Sequence, residues 1–164
     1  PPRQLSHRPP RAIPTHARRQ RQMCIRDRAE TMYDAPGIGL AANQVGILKR
    51  LIVMDCSTDD EDPNLIKMIN PEIIFSSTEI SELEEGCLSI PEHKSIVKRP
   101  SNIKVKFLNI EGLEEIIDAE GLLSACIQHE IDHLNGVLFV DHISRLKRDI
   151  ILRKVKKQIR ENEK

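Results

Sequence analysis

Gln128-His129-Glu130-Ile131-Asp132-His133 is the stretch that decides this chain. His129 and His133 stand at i and i+4, so on a helix both imidazoles leave one face and can grip one cation. Glu130 follows the first histidine and can reach a water at that cation to take its proton. Two imidazoles are an incomplete set, and the choice of third ligand decides the chemistry.

Two zinc-peptidase continuations can be tested by reading on. One runs His-x-x-Gly-x-x-His, but here the line is His133-Leu134-Asn135-Gly136-Val137-Leu138-Phe139, and phenylalanine binds no metal. The other needs a Glu on a later helix. Only Glu161 and Glu163 follow His133, in a charged terminus that suits a rigid ligand poorly. Upstream, Glu84-Glu85-Gly86-Cys87-Leu88-Ser89-Ile90-Pro91 offers Cys87 as a candidate soft ligand, with Gly86 letting backbone pass close to a bound group. Further upstream, Gly37-Ile38-Gly39-Leu40-Ala41-Ala42-Asn43-Gln44-Val45-Gly46 reads as a tight turn, close packing at the alanines, and a polar Gln44 in apolar company. Taken singly, Cys87 is more often a buried thiol and Gln44 a hydrogen-bonded core amide. His7, His16, His93 and His142 read as ordinary surface or core histidines.

The three segments together, in this order, resemble the peptide deformylase family, which carries Gly-x-Gly-x-Ala-Ala-x-Gln, Glu-Gly-Cys-x-Ser and His-Glu-x-x-Asp-His. The similarity runs from about Ala29 to about Lys157 and is nearest the bacterial type I form. It implies a metal-dependent amide hydrolase that removes the formyl group from N-formylmethionyl peptides and releases formate. Cys87, His129 and His133 would hold one divalent metal, Fe2+ by family analogy, with Zn2+, Ni2+ or Co2+ admissible for that donor set. Glu130 would take a proton from the attacking water and later pass it to the departing amine. The Gln44 side-chain amide and the Leu88 backbone N–H would hold the developing oxyanion. Ile38, Gly39 and Gly86 would pair with an extended peptide by strand addition. Ile38, Leu122, Ala125, Cys126 and the His129 ring would line the pocket for the methionine side chain, and Arg99 would contact the peptide. The implied setting is a monomer in the bacterial cytoplasm, near the ribosome's nascent-chain exit. A second reading is an inactive or binding-only relative with a metal-loaded fold.

Composition agrees with one domain. The 164 residues are 39% hydrophobic and 2% aromatic, so the core must be built from Ile, Leu and Val. No run approaches the roughly 18 apolar residues of a membrane span. The formal net charge of zero argues against a dominant role on DNA. Cysteines at 24, 56, 87 and 126 form no CxxC pair, which suits a reducing compartment.

That neutrality hides a division. Residues 1–28 hold eight Arg, one acidic residue and half of the ten prolines, whereas residues 29–164 hold 17 basic against 24 acidic residues, a net charge of −7. The first segment has no hydrophobic period and is expected to be disordered. An organellar transit peptide and a basic tail for ribosomal RNA are the alternatives to a segment foreign to the protein, and the last is the expectation. Residues 29–164 are then an N-terminally incomplete catalytic domain, less stable than its relatives.

The expected architecture is α+β, with small antiparallel or mixed sheets around a central HExxH helix and a C-terminal helix. A short helix ends near Tyr33. Strands are expected over Arg50–Asp55, Ile66–Asn70, Glu72–Ile80 (with a break at Pro71), Asn102–Asn109 and Leu113–Ala119, the last two joined by a turn at Glu111-Gly112. The metal-binding helix covers Glu120–Leu134, and Val137–Val140 is strand-like. Ser144 caps a last helix reaching about Arg160, with Ile150, Ile151, Val155 and Ile159 inward.

Overall fold

The computed structural model describes residues 15–35, 37–58 and 60–162, with side chains from Met23 onward apart from Cys24 and Asn162. Among these residues the order is α1 (Thr15–Asp34), β1 (Gly39–Ala41), β2 (Leu51–Met54), β3 (Ile66–Ser76), β4 (Ile80–Cys87), β5 (Ile90–Pro100), β6 (Asn102–Leu108), β7 (Glu114–Glu120), α2 (Gly121–Leu134) and α3 (Arg145–Asn162). Short 3-10 turns cover Ala42–Val45 and Phe139–His142. Every strand pair is antiparallel, in a five-stranded sheet ordered β1-β2-β3-β6-β7 and a two-stranded sheet β4-β5. The class is α+β, as the sequence indicated.

Helix α2 carries the histidines because its other face is apolar. Ile127 and Ile131, one turn apart, pack on Met54, Met68, Ile103, Val105 and Ala119 of the large sheet. Full burial of an isoleucine such as Ile127 stabilises by about 1.5–3 kcal/mol. Polar ties fix the helix lengthwise: Ser124 Oγ and Gln128 Nε2 each donate to the Pro100 carbonyl at 3.1 Å. Strand β7 runs directly into α2 through Gly121, whose φ of 55° suits a residue without Cβ. The small sheet has its own cluster, Ile90 and Val97 against Phe139 and Val140, with Ile151, Leu152 and Val155 of α3 alongside.

Five expectations need correction. Strand β3 continues through Pro71; the pairing shifts between Ile69 and Glu72, and Asn70 takes φ 51°, an irregularity at which a missing N–H is tolerated. Val137–Val140 is not strand-like: a 3-10 turn begins at Phe139, and Asp141 Oδ2 accepts the Leu138 N–H at 3.0 Å. On α3 the inward residues are Ile151, Leu152 and Val155, while Ile150 and Ile159 are 43% and 52% exposed. The β4-β5 hairpin was not anticipated. Helix α1 begins at Thr15, so disorder through residue 28 is not what the structure has; the rest of that segment, residues 1–14, lies outside the described residues. Ile25, Ala29 and Met32 at helical spacing explain the longer helix, since all three are buried, with Ile25 and Met32 packed against Leu40, Leu51 and Val53.

The end of α1 is pinned by one carboxylate. The Tyr33 hydroxyl donates to Asp55 Oδ2 at 2.6 Å, and Asp55 Oδ1 accepts from Ser57 N–H and Ser57 Oγ at 3.0 and 2.5 Å. Burial pushes the Asp55 carboxyl up, but the Ser57 and Tyr33 hydrogen bonds win and hold it at about 2, below its ordinary 3.8. The bond to Asp55 pushes Tyr33 up to about 12. A depressed carboxyl contributes stability that is complete above the unfolded value and lost as pH falls through the folded one. Tyr33→Phe is therefore expected to lower the thermal midpoint at neutral pH and to flatten its decline between pH 4 and pH 2. Melts of both proteins across that range check this; parallel curves would assign the carboxylate to Ser57 alone.

Candidate active site

Three donors converge where the two sheets meet. Cys87 ends β4, and His129 and His133 face it from α2; their ligand atoms all lie within 4.8 Å of one another. His133 Nε2 is 3.1 Å from Cys87 Sγ and 3.1 Å from His129 Nε2. Such spacings are close to those of donors that share one ion at about 2.0–2.3 Å. Burial raises the Cys87 thiol, but hydrogen bonds from His129 and His133 overcome this and bring it down to about 5. Burial lowers His129, yet Cys87 and Glu85 lift it to about 10. Cys87 and His129 thus share a proton, and a divalent cation could take its place. The residues fit a metal on both geometry and donor chemistry.

Each donor is held from behind. Glu85, two residues before Cys87 on β4, meets His129 Nδ1 through Oε2 at 2.9 Å, which leaves Nε2 for the cluster. Arg99 on β5 grips Glu85 with Nε at 2.5 Å and Nη2 at 3.0 Å, and reaches Asp132 with Nη1 at 2.8 Å. His142 Nε2 lies 2.7 Å from the same Asp132 oxygen. Arg99 is 5% exposed and positions Glu85. Asp132 ties α2 to β5. Glu85 was missed, although the period of two along a strand puts it on the same face as Cys87.

The donors open onto a cavity of about 670 Å³. Its wall includes Ile38, Gly39, Gln44, Gly86, Cys87, Leu88, Leu122, Ala125, Cys126, His129 and Glu130; His133 stands behind, bonded to the donors. Gln44 is oriented by the Ala41 N–H, which donates to its Oε1 at 2.8 Å. Its Nε2 then lies 3.3 Å from His133 Nε2 and 3.8 Å from Cys87 Sγ. Leu88 sits in the turn after Cys87, and the next amide, Ser89 N–H, donates to Cys87 Sγ at 3.3 Å. Glu130 is buried, and among the described residues no donor reaches its Oε2. Burial pushes its carboxyl up to about 7, against the pull of His129 and His133. A Cβ on Gly39 would stand 2.5 Å from Glu130 Oε1, so glycine is needed for β1 to pass this close.

The polypeptide deformylase family model matches residues 3–149. This chain belongs to that family. Among deformylases, it is 52% identical over 134 residues to the peptide deformylase of Agrobacterium fabrum, covering 82% of this chain and 79% of that one. The crystal structure of peptide deformylase from Ehrlichia chaffeensis superposes with a TM-score of 0.82 at 39% identity, covering 94% of this chain and 89% of the other. The Ehrlichia deformylase in complex with actinonin gives 0.79 at 41% identity, with 90% and 86% covered.

Removing the charge of Glu85 should loosen His129 without touching the donors. Glu85→Gln is expected to weaken metal binding by roughly 10–100-fold, the usual effect of losing a ligand's hydrogen-bond partner. Competition with a chelator measures this, and unchanged affinity would remove Glu85 from the support of the site.

Proposed function

We propose that this chain removes the formyl group from the N-terminal formylmethionine of nascent polypeptides and releases formate. The observation that carries the reading is the meeting of the Cys87, His129 and His133 donors with the Glu130 carboxylate and the Gln44 amide at one cavity. Cys87, His129 and His133 would hold the metal. When bound, the metal supplies Lewis acidity, polarising the formyl carbonyl and lowering the pKa of water.

The remaining steps belong to the side chains. Glu130, buried at the cavity wall, accepts the proton of the attacking water and returns it to the methionyl amine as the C–N bond breaks. Gln44 Nε2 and the Leu88 N–H donate to the oxyanion as it forms. Ile38, Gly39 and Gly86 bond the extended peptide backbone. Ile38, Leu122, Ala125, Cys126 and the His129 ring receive the methionine side chain, and the 44% and 50% exposure of Ile38 and Leu122 suits apolar side chains that await a partner. We take ferrous iron as the metal and the cytoplasm of a bacterium as the setting. The chain works as a monomer near the ribosome, for which the Lys- and Arg-rich helix α3 supplies a basic face. Among the described residues no helix is long and apolar enough to cross a membrane. Residues 29–164 carry the catalytic domain, and the part of α1 before them contributes Ile25 to its core.

Protein purified without oxygen and loaded in turn with iron, zinc, nickel or cobalt is expected to release formate from formyl-Met-Ala-Ser, and Glu130→Ala to release none. Failure with every metal, or cleavage of internal peptide bonds, would reject the reading. Gln44→Ala should lose roughly 10²–10³-fold in kcat, as expected for one oxyanion donor, while metal content stays near normal. Equal activity would remove Gln44 from the mechanism.

A further inference from the structure

Two thiols outside the donor set belong to one packed cluster beside the cavity. Cys126 is buried on α2, lines the cavity wall and lies 3.7 Å from the Ile38 carbonyl oxygen, a hydrogen-bonding distance for sulfur. The same oxygen accepts the Asp55 N–H at 2.9 Å, so the backbone just before Cys56 and the side chain of Cys126 converge on one acceptor. Cys56 is half-buried and packs against the cluster that holds Cys126. We propose that Cys56 and Cys126 are a disulfide-forming modification site, with a low-molecular-weight disulfide as co-reactant, and that the cross-link reshapes the wall of the side-chain pocket.

The two sulfurs differ in access and in titration. Their mutual interaction lowers the Cys56 thiol and, together with burial, raises that of Cys126, so the more accessible sulfur is also the readier thiolate. The Cys56 thiolate attacks one sulfur of glutathione disulfide, forming a mixed disulfide and expelling glutathione thiolate, which takes up a proton. Cys126 then gives up its proton and attacks the Cys56 sulfur, and the second glutathione leaves as a thiol. Two protein thiols lose two electrons and the glutathione disulfide gains them. Drawing Cys126 Sγ toward Cys56 takes it from the Ile38 carbonyl and from Gly39, whose Cβ position lies 3.0 Å from that sulfur. The effect on substrate rests on the formyl-peptide reading; the cross-link does not.

Zinc-loaded full-length protein is treated with glutathione disulfide, alkylated, and mapped by mass spectrometry without reduction. The expected result is one peptide pair joined through Cys56 and Cys126, reversed by dithiothreitol, with zinc content unchanged. The KM for formyl-Met-Ala-Ser should rise roughly tenfold or more and return on reduction, a scale on which an apolar pocket answers to one small group. Cys56→Ser should keep its KM under the oxidant. Linkage through Cys87 or another cysteine, a glutathione adduct that stops at Cys56, or no modification overturns the site. A cross-link with unchanged KM overturns the reshaping. A mapped cross-link in protein that turns over no formyl peptide supports the site and counts against the formyl-peptide reading.

Discussion

The Glu85 carboxylate, buried between the Arg99 guanidinium and the His129 imidazole, makes one site out of two sheets. His129 rides on α2 and so belongs to the large sheet. Cys87 ends a strand of the small one. Donors drawn from two bodies keep their spacing only if the bodies are locked together, and Glu85 locks them because it sits on the strand of Cys87 and bonds the ring of His129. A buried carboxylate is costly to desolvate, and the bidentate grip of Arg99 offsets that cost. Asp132 and His142 carry the same chain of polar contacts outward, so the metal-binding end of α2 is fastened on its flank as well as at its base.

How much of this was legible depended on the range of the interaction. The i, i+4 spacing of His129 and His133 is local, and the helix period alone puts both rings on one face. The alternation in β6 is local too, with Ile103, Val105 and Phe107 all buried. Cys87 and Gln44 were different: nothing in their neighbourhoods distinguishes a ligand from a buried thiol, and only the resemblance assigned them. The β4-β5 hairpin escaped because its inward positions include Glu85 and Arg99 as well as Leu83 and Val97, so no clean apolar alternation marks it. The site's own requirement for buried charge erased the signal of the strands that carry it. The Arg-rich first helix hid for a related reason, since among its described residues the buried apolar ones are Ile25, Ala29 and Met32, interleaved with a buried Arg28.

The cavity divides its labour by depth. Gln44, Glu130 and the donors form a polar end in which each atom has a fixed orientation, set by the Ala41 amide for Gln44 and by close packing against Gly39 for Glu130. Ile38, Leu88 and Leu122 leave apolar surface toward solvent at the mouth. Such a site orders its reacting groups in advance and leaves its greasy rim to be covered by whatever enters.

The small sheet rests on Phe139, Val140 and the inner face of α3, all of which follow it in the chain. A growing polypeptide emerges with its amino end first. The hairpin that presents the sulfur donor therefore has no floor to settle on until those later residues have emerged, and the centre matures only after its own support has been made.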